Sequence, residues 1–242
     1  MAPPGIGEAV EGTHAVAAAI AAGRVLRLVV ESGRADRMAE LIGRARAAGA
    51  VVEVVDDVTP LAATTAPQGV VARCRPIAPA SLGEAVAGAD PPALVVLDRV
   101  EDPRNVGAVA RSALAAGVGG MVVGRRRSAP LGATAFKAAA GALERLAVVE
   151  VSSVAGTLEE LRRRGVWIVG LDAAGRESIF EVGLLDGPVA LVLGAEGRGL
   201  SRLVAQRSDV VARIPLAGDV ESLNVSAAAT VAMFELARRR GA

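Results

Sequence analysis

The sequence predicts an α/β protein whose second half holds a mostly parallel sheet and whose first half is a smaller α/β unit. Apolar segments of strand length alternate with helical periodicity along the 242 residues. The Val-rich strands of the second half are almost continuously apolar, as are strands covered by helices on both faces. A Pro-, Ala- and Gly-rich stretch separates the halves. We therefore assign residues 1–75 to a first domain, 76–92 to a linker and 93–242 to a second domain.

The first half contains two predicted helices and three predicted strands. Thr13 is placed to cap a helix over 14–22, and residues 36–48 carry apolar side chains at helical spacing. The strands are VLRLVV (25–30), VVEVV (51–55) and GVVARCR (69–75). The linker that follows has room for one short helix.

The second half contains six predicted strands, at 94–99, 120–124, 147–151, 166–172, 189–194 and 210–215. Helices are predicted between them at 105–117, 154–165 and 200–207, with a last one at about 222–239. This alternation is typical of a parallel sheet with helices on its faces.

Composition excludes several classes of site. The single cysteine, Cys74, excludes an internal disulfide and a multi-cysteine metal site, and the single histidine, His14, argues against histidine-based catalysis. We therefore expect no metal. The N-terminal stretch is acidic, unlike a signal peptide, and no apolar run reaches the roughly 18 residues of a membrane helix, so we expect a cytoplasmic protein without a membrane partner.

Three polar segments interrupt the second half, each directly after a strand. Ligands of open α/β sheets gather beyond the carboxyl ends of the strands, so the three are candidates for one site. In the first, DPRNVGAVARSALAAGV, the helix N-terminus near Asn105 favours a phosphate and Arg111 lies six residues further on. The alternative is that Asp102 or Asn105 only caps the helix and Arg111 is solvated.

The other two segments follow the strands that end near 194 and 215. In LVLGAEGRGLS, three glycines surround Glu196 and permit close backbone approach by a ligand; an ordinary strand–loop–helix turn is the alternative. In IPLAGDVESLNVSAAA, Ser222 is a good N-cap and Asn224 would lie in the first helical turn, where its side chain could face a ligand. Capping with a chance asparagine is the alternative there.

These three segments, in this order and separation, resemble the motifs of the SpoU (TrmH-type) RNA ribose 2′-O-methyltransferases of the SPOUT superfamily. The segment RRRSAPLGATAFKAAAGALE resembles the connection between the first two motifs. EGTHAV and PQGVVARCRP resemble a small substrate-binding domain similar to ribosomal protein L30e. The resemblance is strongest to the bacterial 23S rRNA (guanosine-2′-O-)-methyltransferases that act on a peptidyl-transferase-centre loop. One departure is Pro67, where relatives often carry histidine.

The resemblance implies the fold, the cofactor and the assembly. The second domain would be an α/β knot, a deep trefoil, and the protein a homodimer. The implied methyl donor is S-adenosylmethionine, and the implied RNA substrate is 23S rRNA. The residues that would contact the donor in the knotted region are Leu193, Gly194, Ile214, Leu216 and Leu223.

The matching catalytic positions are Asn105, Arg111, Glu196, Ser222 and Asn224. Because guanidinium stays protonated, two roles remain for Arg111: deprotonating the 2′-hydroxyl with help from an RNA phosphate, or holding that phosphate and stabilising the developing alkoxide. We favour the second. Candidate RNA contacts are Arg104, Arg125, Arg126 and Arg127, with a solvated arginine run as the alternative.

Three other functions are weighed against this one. The same chemistry could act on tRNA or on an rRNA site linked to antibiotic resistance, an option that Pro67 keeps open. A non-catalytic RNA-binding protein could retain the fold. A nicotinamide dehydrogenase is disfavoured because no G-x-G-x-x-G follows an early strand.

Overall fold

The computed structural model describes residues 5–241. The strands are β1 (Ala9–Glu11), β2 (Val25–Glu31), β3 (Val51–Val55), β4 (Val70–Cys74), β5 (Ala93–Leu97), β6 (Gly120–Gly124), β7 (Ala147–Val151), β8 (Trp167–Leu171), β9 (Glu177–Ser178), β10 (Val189–Leu193) and β11 (Val210–Arg213). The helices are α1 (Thr13–Ala21), α2 (Ala39–Ala47), α3 (Leu82–Ala87), α4 (Pro103–Ala115), α5 (Ala133–Ala139), α6 (Val154–Arg163), α7 (Arg202–Arg207) and α8 (Val225–Arg239). None of the described helices is long and apolar enough to cross a membrane.

The chain forms two compact units. Among the described residues, the first comprises 5–78 together with Pro130–Arg145, and the second comprises Pro79–Ala129 together with 146–241. The first unit has a four-stranded sheet in the order β1-β4-β2-β3, in which β3 is parallel to β2 and the other pairs are antiparallel. Cys74 is buried in this sheet, and its burial raises the pKa of the thiol to about 11.

Helix α1 begins differently from the prediction. Gly12, not Thr13, is the N-cap residue, with a φ of 84° that favours glycine, and Thr13 is the first helical residue. The Thr13 N–H donates to the side-chain oxygen of Gln68 at 3.2 Å. The strand β1 was not predicted because three residues are too short to show an alternating pattern.

Residues 130–145 belong to the first unit, whereas the predicted division placed them in the second domain. Here the buried ring of Phe136 lies where a side chain on Gly7 would stand, 2.4 Å from an ideal Cβ. The Gly7 N–H donates to the Leu131 carbonyl at 3.0 Å, and the Arg24 Nε–H donates to Glu144 at 2.8 Å. Periodicity indicates what a segment folds into but not which sheet it covers, so this excursion was missed.

The second unit has a seven-stranded sheet in the order β7-β6-β5-β10-β8-β11-β9, and every adjacent pair is parallel. This confirms the predicted parallel sheet. Strand β10 lies between β5 and β8, with Val189 beside both Ala93 and Trp167. All five residues of β5 and of β10 are buried, as their continuous apolar sequences predict.

Residues 79–92, predicted as part of a linker, are packed in the second unit. Ser81 caps α3 in a capping box with Glu84. Ala85 is fully buried against Gly120 of β6, where an ideal Cβ on the glycine would stand 2.5 Å from the Ala85 methyl. The Pro, Ala and Gly content that suggested a linker therefore serves close packing of a short helix against the sheet.

A carboxylate near the end of α8 gives a first testable prediction. Glu235 is 7% exposed and accepts bonds from Arg238 and Arg239, which lower the pKa of its carboxyl to about 2 from 4.5. Because the pKa of this carboxyl is lower in the folded than in the unfolded protein, the ionised group stabilises the fold at pH values above 4.5. This stabilisation is lost as the pH falls from 4.5 to about 2. Arg238 is largely exposed, so solvent screens its attraction for Glu235 and the energy that the pKa shift implies must be reduced. We therefore expect Glu235→Gln to lower the free energy of unfolding by about 2 kcal/mol at pH 7.

Denaturant unfolding of both proteins from pH 7 downward measures this difference, which should shrink below pH 4.5. The control is Glu160→Gln, which removes the exposed pair with Arg164 and should cost less than about 0.5 kcal/mol. Equal and pH-independent losses in the two variants would contradict the assignment.

Candidate active site

The three polar segments meet at the carboxyl edge of the parallel sheet. The Asn105 side chain donates to Glu196 Oε1 at 2.6 Å. The Asn224 side chain donates to the same oxygen at 2.7 Å and to Asn105 Oδ1 at 3.2 Å. Asn105 lies in the helix after β5, Glu196 lies in the loop after β10, and Asn224 lies in the segment after β11. The three residues, called the amide–carboxylate cluster below, join segments up to 119 residues apart in the chain.

Asn224 is also the N-cap of α8. Its Oδ1 accepts the Ser226 N–H at 2.9 Å and the Ser226 hydroxyl at 2.6 Å, and α8 begins at Val225. The prediction that Ser222 caps this helix is therefore wrong, because asparagine two residues later fills the role equally well. Capping and cluster formation fix both ends of the Asn224 amide, since its nitrogen serves the cluster and its oxygen serves the helix.

Asp102 caps the first helix of the site and leaves Asn105 free for the cluster. Its carboxylate accepts the Arg104 N–H at 2.8 Å and the Arg104 Nε–H at 3.2 Å. These bonds from Arg104 lower the pKa of the Asp102 carboxyl below its ordinary value. Arg104, a candidate RNA contact, is thus held at the start of α4 with an exposed guanidinium.

The loop from Gly194 to Gly199 is a tight turn that tolerates no extra atoms at two glycines. Ala195 and Gly199 pair through N–H···O bonds of 3.1 and 2.9 Å. An ideal Cβ on Gly194 would stand 2.1 Å from the Gly199 carbonyl carbon, and one on Gly199 would stand 2.2 Å from Asp172 Oδ2. Gly194 is therefore required by close approach of the backbone, and Gly199 by its φ of 60° and by the Asp172 carboxylate beside it.

Two carboxylates that the sequence analysis did not single out hold the end of this loop. Asp98, 4% exposed, accepts the Ser201 N–H at 2.8 Å, and Asp172 accepts the Leu200 N–H at 3.1 Å. Each acid directly follows a strand, β5 or β8. The rule that polar residues at strand ends mark the site would have found both.

A cavity of about 720 Å³ opens beside the loop, in the second unit. It is lined by apolar and glycine residues and by a few charged side chains, among them Asp172, Glu196 and Glu221. All five predicted cofactor contacts lie on its wall: Leu193, Gly194, Ile214, Leu216 and Leu223. Ser222 lines it as well. We call it the donor cavity.

A second cavity, of about 570 Å³, adjoins the first and shares Ala195, Glu196 and Arg198 with it. Its remaining wall is Arg99, Val100, Glu101, Asp102, Asn105 and Arg127. The lining holds three guanidinium groups and three carboxylates, so it carries no net charge, and an anionic ligand would be held by Arg99, Arg127 and Arg198 individually. We call it the basic cavity after these arginines.

The other predicted site residues are more dispersed. Arg111 is exposed on α4, about 9 Å along the helix and a third of a turn from Asn105, and lies outside the cavities found among the described residues. It shares an exposed helix face with Arg104, seven residues earlier. Arg125, Arg126 and Arg127 form the exposed turn after β6, and only Arg127 reaches the basic cavity.

Among residues 5–241 there is no group of three or more His, Cys, Asp or Glu side chains placed to hold a metal ion. What the site offers instead is amide, carboxylate and guanidinium groups around two adjoining cavities.

Comparison with known proteins matches both parts of the chain to family models. The model described as the SpoU rRNA Methylase family matches residues 92–234, and the one described as RNA 2′-O ribose methyltransferase substrate binding matches residues 9–80. The 23S rRNA (guanosine-2′-O-)-methyltransferase RlmB of Yersinia pestis is 40% identical, over 97% of this chain and 98% of the relative. The putative TrmH family tRNA/rRNA methyltransferase YacO of Bacillus subtilis is 42% identical over 72% of this chain and 71% of its own.

Solved structures show the same fold. The SpoU methyltransferase AviRb of Streptomyces viridochromogenes, crystallised with the cofactor AdoMet, superimposes with a TM-score of 0.81 at 27% identity, covering 96% of this chain and 90% of the other. The AdoMet-bound rRNA methyltransferase of Sinorhizobium meliloti gives a TM-score of 0.76 at 26% identity, over 95% and 86% of the two chains.

Proposed function

The chain belongs to the SpoU rRNA methylase family, and from this premise we propose that it methylates the ribose 2′-hydroxyl of a guanosine in 23S rRNA with S-adenosylmethionine as donor. The observation that carries the proposal is the amide–carboxylate cluster of Asn105, Glu196 and Asn224, because Glu196 lines both the donor cavity and the basic cavity and Asn105 lines the basic cavity. The carboxylate of Glu196 therefore lies where a donor in one cavity and an acceptor in the other would meet.

The donor cavity fits S-adenosylmethionine. Its volume of about 720 Å³ lies within the range of small-molecule sites, and Leu193, Ile214 and Leu216 offer an apolar slot for a purine ring. Carboxylates on the same wall, Asp172 and Glu221, complement a cationic ligand. When bound, the donor supplies an electrophilic methyl on a sulfonium, so alignment of the nucleophile provides much of the rate.

We place the target nucleoside in the basic cavity, with its ribose at the cluster. Both amide donors go to Glu196 Oε1, so Glu196 Oε2 is assigned to accept from a ribose hydroxyl. Asn105 and Asn224 then hold the carboxylate in one orientation, and Ser222 orders the segment beside the donor. Arg127 and Arg198 face the phosphates that flank the nucleoside.

For Arg111 we propose the anchoring role rather than the basic one. Its exposure on α4, on the same face as Arg104, suits a contact to an RNA phosphate and places it away from the cluster of its own chain. Arg111→Ala should lower methyl transfer at least about 100-fold while donor binding, measured by calorimetry, changes less than about threefold.

Arg111→Lys keeps the charge and should restore part of the activity, because lysine still binds a phosphate as a point charge although it lacks the guanidinium fork. Loss of donor binding in parallel with transfer would show that Arg111 acts through the cofactor site instead.

We propose the knot and the homodimer as the remaining consequences of family membership. Strand β10 lies between β5 and β8, which precede it in the chain; a knotted sheet allows this order, and family membership carries the proposal of the knot itself. Along α8, Ala227 and Phe234 are exposed and Val231 between them is half-buried, and together they form an apolar stripe, with Phe234 48% exposed. A surface of this kind is suited to a second copy of the chain, and sedimentation equilibrium would measure the assembly.

We propose that the first unit, with an L30e-like fold, binds RNA and that the methyl transfer itself is confined to the second unit, with Pro130–Arg145 counted in the first unit and residues 79–92 in the second. The match of residues 9–80 to the substrate-binding family supports this division. Arg104, Arg125 and Arg126 are assigned to RNA contacts at the rim of the catalytic part. An rRNA substrate also implies a cytoplasmic location.

The test is transfer of labelled methyl from S-adenosylmethionine to a 23S rRNA transcript, with the modified nucleotide mapped by primer extension at low dNTP concentration. A single stop at one guanosine is expected. Modification of tRNA instead would show that the substrate is tRNA and not 23S rRNA. Donor binding without transfer to any RNA would show that the protein binds RNA without catalysing methyl transfer.

A further inference from the structure

A third cavity, of about 170 Å³, lies at the carboxyl ends of β5, β6 and β7. Its polar wall is Asp98 and Arg99 after β5, Arg126 and Ser128 after β6, and Ser152 and Ser201 at the starts of α6 and α7. Arg99 also lines the basic cavity, so the two spaces share a wall. No residue of the amide–carboxylate cluster or of the donor cavity lines this third cavity.

Two polar atoms in this wall have no hydrogen-bond partner among the described residues. They are Arg99 Nε and Ser128 Oγ, and each is buried from solvent. Buried polar atoms are almost always paired, so two unpaired donors on residues that line one small cavity indicate a ligand that accepts hydrogen bonds once these side chains turn toward it. Both residues with an unpaired buried side-chain atom in the described chain line this cavity.

The one acid in the wall is already engaged. Asp98 Oδ2 accepts the Ser201 N–H at 2.8 Å, and Oδ1 forms an ion pair with Arg99 at 3.5 Å from Nε, a contact that does not satisfy the Nε–H with a hydrogen bond. Against this carboxylate stand the guanidinium groups of Arg99 and Arg126 and three serine hydroxyls. The wall is thus rich in donors around a small space, which suits a tetrahedral oxyanion.

We propose that this cavity binds a phosphodiester group of the substrate RNA, one that neighbours the target nucleotide. The inference rests on the proposed function, because it takes the target nucleoside to occupy the basic cavity on the other side of Arg99. Ser128 and Arg99 donate to the phosphate oxygens, and Arg126 closes the site from the exposed side. The contact sets the register of the RNA without reading a base.

Ser128→Ala and Arg126→Ala test the site, with Arg163→Ala as the matched control. Arg163 is an exposed arginine at the end of α6 that lines none of the three cavities and has no assigned RNA contact. We expect each test variant to weaken binding of a 23S rRNA fragment about five- to tenfold, and Arg126→Ala to flatten the log–log salt dependence by about 0.7 to 0.9. Arg163→Ala should change affinity less than about twofold.

Thermal unfolding separates this role from a structural one. Ser128→Ala removes an unpaired buried hydroxyl, so without RNA the melting temperature should stay equal or rise, while RNA binding falls. Donor binding should be unchanged in all three variants. A fall in melting temperature matched to the loss of RNA affinity would overturn the proposal.

Neutralising single phosphates locates the contact. In a series of RNA fragments, each carries one methylphosphonate linkage within three nucleotides of the target. One linkage should weaken binding to the parent protein and have no further effect in Ser128→Ala or Arg126→Ala. Additive losses at every linkage, or a saturable response to inorganic phosphate without coupling to RNA, would overturn the assignment. Failure of the proposed function is separate, because it would show as absent methyl transfer by the parent protein.

Discussion

Gly194→Ala is expected to weaken S-adenosylmethionine binding at least about 100-fold and to destabilise the protein by about 1 to 3 kcal/mol. An ideal Cβ at this position stands 2.1 Å from both the carbon and the oxygen of the Gly199 carbonyl. That carbonyl accepts the Ala195 N–H at 3.1 Å, so the clash falls on the bond that closes the loop. Since the same loop is a wall of the donor cavity, the cavity must deform with it.

Two further glycine variants separate the clash from general effects of alanine. Gly197→Ala has no atom near the added methyl but keeps a φ of 70°, so it should cost about 1 to 2 kcal/mol through backbone strain alone. Gly187→Ala has neither a clash nor a positive φ and should be nearly neutral. Calorimetric donor binding and denaturant unfolding measure all three. Wild-type affinity in Gly194→Ala would remove the loop from the donor site.

Glu196→Ala is expected to lower methyl transfer about 100- to 1,000-fold, because two side-chain amides lose their shared acceptor. Asn105 is buried, so its unpaired amide cannot turn to bulk water and the local arrangement should change. Glu196→Gln keeps an acceptor oxygen of the same shape and should retain more activity than the alanine variant. Single-turnover transfer at saturating donor measures both effects.

Glu181→Ala is the control, since Glu181 is exposed and lies outside the described cavities. It should transfer methyl groups at the parent rate. If Glu196→Ala retained the parent rate while the donor bound normally, the cluster would be a structural feature and the nucleoside would have to bind elsewhere.

Much of the fold could be predicted from the sequence. Strands such as β5 and β10 are continuous apolar runs because both of their faces are buried, and this property is visible residue by residue. The excursion of Pro130–Arg145 into the first unit was not predictable, because it depends on the fit of Phe136 over Gly7 and on the pairing of Arg24 with Glu144. Those contacts join positions distant in the chain and leave no local pattern.

The site was predictable in part, because some of its residues also leave a local pattern in the sequence. Asn105, Glu196 and Asn224 were found because each follows a strand and breaks an apolar segment, and the structure brings them within hydrogen-bond distance. The cap of α8 was misplaced by two residues, since Ser222 and Asn224 are equally good caps by residue type. Arg111 is exposed within one chain, so its place in catalysis remains a prediction.

Glu196 and Arg198 belong to the walls of both cavities, so a ligand in either one acts on groups that the other ligand touches. Thermodynamic reciprocity then requires that if the bound donor raises the affinity for RNA by some factor, bound RNA raises the affinity for the donor by that same factor. Loss of the methyl changes the charge beside Glu196 and should alter this coupling. The spent donor and the modified RNA would therefore be expected to hasten each other's departure.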